Sequence, residues 1–110
     1  MTTIQFLVPV ADRKGRPYGR ATMRRMELEL ERRFGGWSLV SREPLPGAWR
    51  NPSTQQIESD ESWRYEVTWT SVEAVEGYLV RLGRRLGQAA MYMVVVGEGR
   101  IVDCRRQSHG

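Results

Sequence analysis

The residues best suited to chemistry lie in the middle third of the chain. The stretch Gly47-Ala48-Trp49-Arg50-Asn51-Pro52 sets a Trp and an Arg among Gly and Pro. A Trp in such a stretch is costly to leave in water, so Trp49 is expected to bury against the sheet or to wall a pocket. Arg50 beside it offers a planar fork for a carboxylate or phosphate. Arg64 and Glu66 stand two apart, which puts them on one face of a strand. There they either pair inside an interface or meet a charged ligand. Asp60-Glu61 is a carboxylate pair close by, and such pairs do acid–base work when their surroundings separate their pKa values. Adjacent strand residues point to opposite faces, so a solvated turn is the expectation for these two.

Other reactive groups are sparse. Cys104 is the one cysteine, and His109, next to last, is the one histidine. A single Cys makes no internal disulfide, and no Cys/His cluster has zinc-ligand spacing. Arg105-Arg106 beside Cys104 could lower its pKa, but without an inward His it reads as a plain thiol. Gly15 and Gly19 are followed by no Gly-Lys-Ser/Thr and form no G-x-G-x-x-G, so no phosphate-cradling loop is expected. Met23, Met26, Met91 and Met93 suit core or interface filling. The expectation is no catalytic motif, no cofactor and no metal.

Several elements must position these residues. Thr3 to Val10 alternates as a strand, with Ile4, Phe6, Val8 and Val10 on one face. Residues 11–21 form a Gly/Pro/Arg-rich loop. A helix is expected over Thr22–Phe34, capped by Thr22, striped by Met23, Met26, Leu30 and Phe34, and ended by Gly35-Gly36. Trp37–Glu43 reads as a second strand and 44–61 as a long polar connection, part of which could extend a hairpin with its turn at Asn51-Pro52-Ser53-Thr54. Ser62–Thr70 is the clearest strand: Trp63, Tyr65, Val67 and Trp69 face one way, Arg64, Glu66 and Thr68 the other. A second helix is expected over Ser71–Leu86, with a Thr70/Glu73 capping box, a stripe of Val72, Val75, Leu79, Leu82 and Leu86, and Gly87 after its end. Ala90–Val96 is apolar on both faces. Gly97-Glu98-Gly99 turns into a short strand over Arg100–Cys104, and 105–110 is a polar tail.

This order, β-α-β-β-α-β plus a hairpin strand, predicts a ferredoxin-like α+β sandwich over residues 1–104: an antiparallel sheet with two helices on one face and the other face open. The open face should carry Arg64, Glu66, Thr68, Gln5 and Leu7. To these the last long strand adds either Met91, Met93 and Val95 or Tyr92, Val94 and Val96.

Composition sets outer bounds. The chain has 110 residues, 40% hydrophobic and 27% charged, enough for one domain that buries about 60–70% of its unfolded surface. No apolar run approaches the ~18 residues of a membrane span, and Met1-Thr2-Thr3-Ile4-Gln5 has no basic leader, so a cytoplasmic protein is expected. The net charge of +4 is uneven: residues 1–36 carry +4, residues 37–79 carry −4 and residues 80–110 carry +4. Sixteen of the 17 cations are Arg, a pattern that suits anionic ligands, self-association between unlike surfaces, or a GC-rich codon bias.

The motif string Phe34-Gly35-Gly36, Gly47-Ala48-Trp49-Arg50-Asn51-Pro52, Asp60-Glu61-Ser62 and Gly87-Gln88 resembles a family of small bacterial proteins of uncharacterised function, over roughly residues 4–96. The resemblance implies a ferredoxin-like fold and brings no activity with it. The element order also resembles dimeric α+β barrel monooxygenases, but the inward His, Asn and Trp set of those enzymes is missing, so only architecture carries over.

Three functional expectations follow. The first is a non-enzymatic domain that self-associates, as a homodimer, through the open sheet face. The second is a small-molecule site or enzyme between that face and the 44–61 loop. It would hold an anionic ligand with Arg64 and Arg50, beside Glu66, between walls of Trp49 and Tyr92. The third, ranked last, is salt-dependent nucleic-acid contact by the Arg-rich segments, since Trp63, Tyr65 and Trp69 sit on the wrong face for base stacking. No membrane partner is expected.

Overall fold

The computed structural model describes residues 1–96 and 98–105. Eight elements follow in chain order: β1 (Thr2–Pro9), α1 (Arg20–Phe34), β2 (Ser38–Leu39), β3 (Leu45–Arg50), β4 (Ile57–Trp69), α2 (Val72–Leu86), β5 (Ala90–Val95) and β6 (Glu98–Asp103). They form one antiparallel sheet in the order β2-β4-β1-β5-β6, with β3 pairing the first half of β4. Both helices cover one face, which is the ferredoxin-like α+β arrangement, and β6 adds an outer strand.

Period-2 patterning decides which face each strand buries. Ile4, Phe6 and Val8 of β1 are buried together with Tyr65 and Val67 of β4 and Met91 and Met93 of β5. The helices close over them with Met26, Leu30 and Phe34 from α1 and Val75, Leu79, Leu82 and Leu86 from α2. Trp63 and Trp69 pack at the margin of this core, and the Phe34 ring meets Trp69 edge-on at 5.6 Å. The choice left open for β5 is thereby settled: its Met residues lie under the helices, and Tyr92 and Val94 face outward. Arg64 and Glu66 sit on the open face as expected, joined through Gln5. Arg64 Nη1 donates to Gln5 Oε1, and Gln5 Nε2 donates to Glu66 Oε1, each at 2.9 Å.

The structure corrects several local expectations. The first helix starts at Arg20, not Thr22, because Met23 N already bonds Gly19 O, and no side chain caps it. The cap of α2 is Ser71, whose Oγ accepts from Ala74 N at 3.1 Å, so the Thr70/Glu73 box does not form. The strand expected over 37–43 shrinks to Ser38–Leu39, since the neighbouring edge of β4 is given largely to β3. The 44–61 connection is mostly β3 and the start of β4, a hairpin whose turn spans 51–56. Buried Asn51 closes that turn: its Oδ1 accepts from Ser53 N, its Nδ2 donates to Glu58, and its main chain bonds Gln55 and Gln56. Glu98 and Gly99, expected in a turn, belong to β6. Gly97 and the tail from residue 106, including His109, lie outside the described residues.

The helices are tied to each other by charge. Glu29 of α1 accepts both guanidinium N–H groups of Arg85 of α2 at 2.8 Å and the Tyr78 hydroxyl at 2.8 Å. The bidentate Arg85 contact holds the Glu29 carboxyl below its ordinary pKa, against the opposing effect of burial. Gly83 of α2 is required by close approach: a Cβ there would meet Cys104 Sγ head-on and stand 2.9 Å from Cys104 Cβ.

Candidate functional site

One end of the sheet is built as a cleft. Beyond Pro9 the chain leaves β1 and returns in a tight loop, closed by an Ala11–Pro17 bridge and by Tyr18 N bonding Val10 O. Asp12 holds this loop from within. Its Oδ1 accepts from the main-chain N–H of Lys14 and of Arg16, and its Oδ2 from Arg16 Nε, all at 2.9 Å. Gly15 takes the left-handed conformation that the turn needs, at φ 81°. The Arg16 main-chain contact leads in keeping the Asp12 carboxyl below its ordinary pKa. Arg13 and Lys14 are left exposed on the rim.

Across from the loop stand the β3–β4 hairpin and the end of α2. A wide cavity of about 970 Å³ lies between them, bordered by Asp12 to Arg16, Glu58 to Glu61 and Leu86 to Ala89. A narrower one of about 340 Å³ continues onto the open sheet face between Leu7, Ala48, Tyr92 and Ile101. The two share Pro9, Trp49, Asp60 and Gln88. Trp49 stands where they meet, positioned by its register opposite Glu58.

The site is electrostatically divided. Glu58, Asp60 and Glu61 line one bank, and Arg13, Lys14 and Arg16 the other. The last turn of α2 borders the cleft with Arg85, Leu86 and Gly87, and its end carbonyls are bonded within the fold: Gly83 O accepts from Gln88 N, Arg84 O from Gly87 N and Leu86 O from the Tyr18 hydroxyl. Asp60 has its carboxyl raised above the ordinary range by burial and by the Glu58 charge, against a hydrogen bond from Ser62. At the floor, the Tyr18 hydroxyl donates to Leu86 O at 2.5 Å and accepts from Gln88 Nε2 at 2.7 Å. Burial raises the Tyr18 pKa, so the phenol stays protonated at neutral pH.

Of the five residues singled out from sequence, Trp49 and Tyr92 border the narrow cavity. Arg64 and Glu66 lie further along the open face in the Gln5 ladder, outside both linings. Arg50 points to the hairpin turn, where Nη1 donates to Gln55 O at 2.6 Å. Tyr18 stands in the sequence with no motif of its own, Gln88 only in the Gly87-Gln88 motif with no role attached, and Asp60, expected in a solvated turn, borders both cavities. The available signals were Gly87-Gln88 directly after a helix stop, and an Asp two residues before the strand Ser, Ser62. Among the described residues no three His, Cys, Asp or Glu side chains converge as a metal site.

No protein-family model matches the chain. No curated protein matches it either. Among solved structures the chain is similar to a phage SAM lyase in complex with S-methyl-5'-thioadenosine. The TM-score is 0.66 at 13% identity, over 93% of this chain and 88% of that one. It is also similar to a phage SAM lyase in the apo state, with TM-score 0.58 at 14% identity, over 97% and 92% of the two chains. At these identities the likeness is one of fold.

Proposed function

We propose that this chain binds a small molecule in the cleft, and that the molecule is a sulfonium or thioether nucleoside of the S-adenosylmethionine class. The observation that carries the reading is the pairing, at one point, of the Trp49 indole with the Asp60 carboxylate, between an acidic bank and a basic rim. An aromatic wall takes a purine, and its face attracts a sulfonium cation. The carboxylates of the acidic bank complement the same positive charge. Arg13 and Lys14 suit an amino-acid carboxylate at the other end of the ligand. The fold shared with SAM lyases supports the same ligand class. If the chain is an enzyme of that kind, the C–S bond of the sulfonium breaks and its electron pair stays on sulfur as a neutral thioether. The carbon fragment discharges its positive charge by losing a proton or by bonding its own carboxylate, so no redox partner is consumed. Titration calorimetry with S-adenosylmethionine and S-methyl-5'-thioadenosine, with ATP as control, tests binding. Chromatography for the thioether tests turnover. Equal binding of all three compounds, or of none, would sink this reading.

A second reading is self-association through the open face. Tyr92 and Ile101 lie opposite each other in the β5–β6 register and are 40% and 52% exposed, an apolar pair at the mouth of the narrow cavity. Light scattering should report more than one copy per particle, and Ile101→Glu should reduce it to one. A wild-type monomer at tens of micromolar would end this reading.

A further inference from the structure

The floor of the cleft holds an amide whose two ends are not equivalent. Gln88 Nε2 donates to Ala11 O at 3.0 Å and to Tyr18 Oη at 2.7 Å, so both of its hydrogens are spent. The Tyr18 hydroxyl gives its own hydrogen to Leu86 O, so toward Gln88 it can only accept. Turning the amide over would set Oε1 against the Ala11 carbonyl, acceptor against acceptor. Both anchors are themselves fixed, Ala11 by its bridge to Pro17 and Tyr18 by the end of α2. Gln88 Oε1 has no partner among the described residues, and the side chain borders both cavities.

We infer that Gln88 is a specificity-determining residue, presenting one carbonyl acceptor in a fixed orientation to a hydrogen-bond donor of the ligand. This rests on the nucleoside reading given above. A nucleoside offers that donor from the base amino group or from a ribose hydroxyl. A site built around a polar partner discriminates strongly against the analogue that lacks it, because the acceptor is then left unpaired. Tyr18 is a positioning residue: it touches Gln88 and fixes which end of the amide faces the cleft.

The test is a double-mutant cycle with S-methyl-5'-thioadenosine as parent probe and three analogues lacking the 6-amino group, the 2'-hydroxyl or the 3'-hydroxyl. Calorimetry on wild type should show one analogue weaker by about tenfold or more. Which one identifies the donor as base or ribose. Gln88→Met should weaken the parent by a similar factor and erase the difference between parent and that analogue. Tyr18→Phe should weaken the parent by a smaller factor and narrow the discrimination, which a purely structural role would leave intact. Three analogues that match the parent on wild type would overturn the inference, and this arm needs no variant to fold. An analogue that loses the same factor on wild type and on Gln88→Met would also overturn it. A wild-type protein that binds no nucleoside overturns the nucleoside reading and this inference together. Binding without coupling overturns this inference alone.

Discussion

Asp60 shows how a single side chain can cost stability and still serve a site. Its carboxyl is raised above the ordinary range, so the folded state takes up a proton more readily than the unfolded chain does. Ionised Asp60 therefore opposes folding above its folded pKa, and the cost fades as pH falls toward the unfolded value. Asp60→Asn should raise stability at neutral pH, by less than about 1 kcal/mol, because the residue as a whole is exposed and only its carboxyl is partly desolvated. That gain should disappear in denaturant titrations run below the unfolded pKa. The same variant should weaken a sulfonium ligand more than its neutral thioether counterpart, and calorimetry with the pair reads the difference. Trp49→Ala should weaken both ligands, by about tenfold, through loss of the aromatic wall. That Trp49 must find a wall was legible, because a large aromatic in a Gly/Pro-rich stretch is costly to leave in water; the outward direction of Tyr92 was not, because β5 is apolar on both faces. The Tyr18–Gln88 pair was not legible: the bond between them spans 70 residues, and the Gly87-Gln88 motif marks a helix end without showing what Gln88 meets.

At the scale of elements, two contacts set how α2 sits. Gly83→Ala should destabilise by about 1–3 kcal/mol, because the new methyl has no room against Cys104. Adding Cys104→Ala should recover part of the loss by removing the sulfur while leaving its Cβ, and urea midpoints for the two variants check this. The Glu29–Arg85 fork should contribute about 1–2 kcal/mol, measured as the loss in Glu29→Gln. With its pKa lowered in the fold, Glu29 stabilises above the unfolded value, and that contribution drains away as pH falls through the folded one. Elements with strong periodicity were readable to within a residue or two, as with β1, β5 and the ends of both helices at Gly35 and Gly87. The β3–β4 hairpin was readable only in part. Residues 57–61 are exposed on both faces, so no alternation marks them as strand, and pairing with 46–50 is what extends them.

For the whole molecule, the order of helices and strands and the outward direction of Arg64 and Glu66 were both contained in the patterning. The position of the cleft was not. It arises where the loop after β1, the β3–β4 hairpin and the end of α2 converge, three segments far apart in sequence. The uneven charge along the chain is folded into this convergence, since acids of the middle third face cations of the first across the cleft. Raising salt should therefore weaken a ligand that carries both a sulfonium and a carboxylate more than an uncharged thioether, and calorimetry at two ionic strengths checks it.

The loop pinned by Asp12 has a further consequence, for the kinetics of encounter. Its main chain is already bonded at Lys14, Gly15 and Arg16 before any ligand arrives. A rim that need not close or reorder adds no slow step and forfeits little conformational entropy on capture. Stopped-flow traces should then show a single phase, with a rate that climbs linearly with ligand concentration. Asp12→Asn, which weakens the pins, should slow association and bend that line toward a plateau.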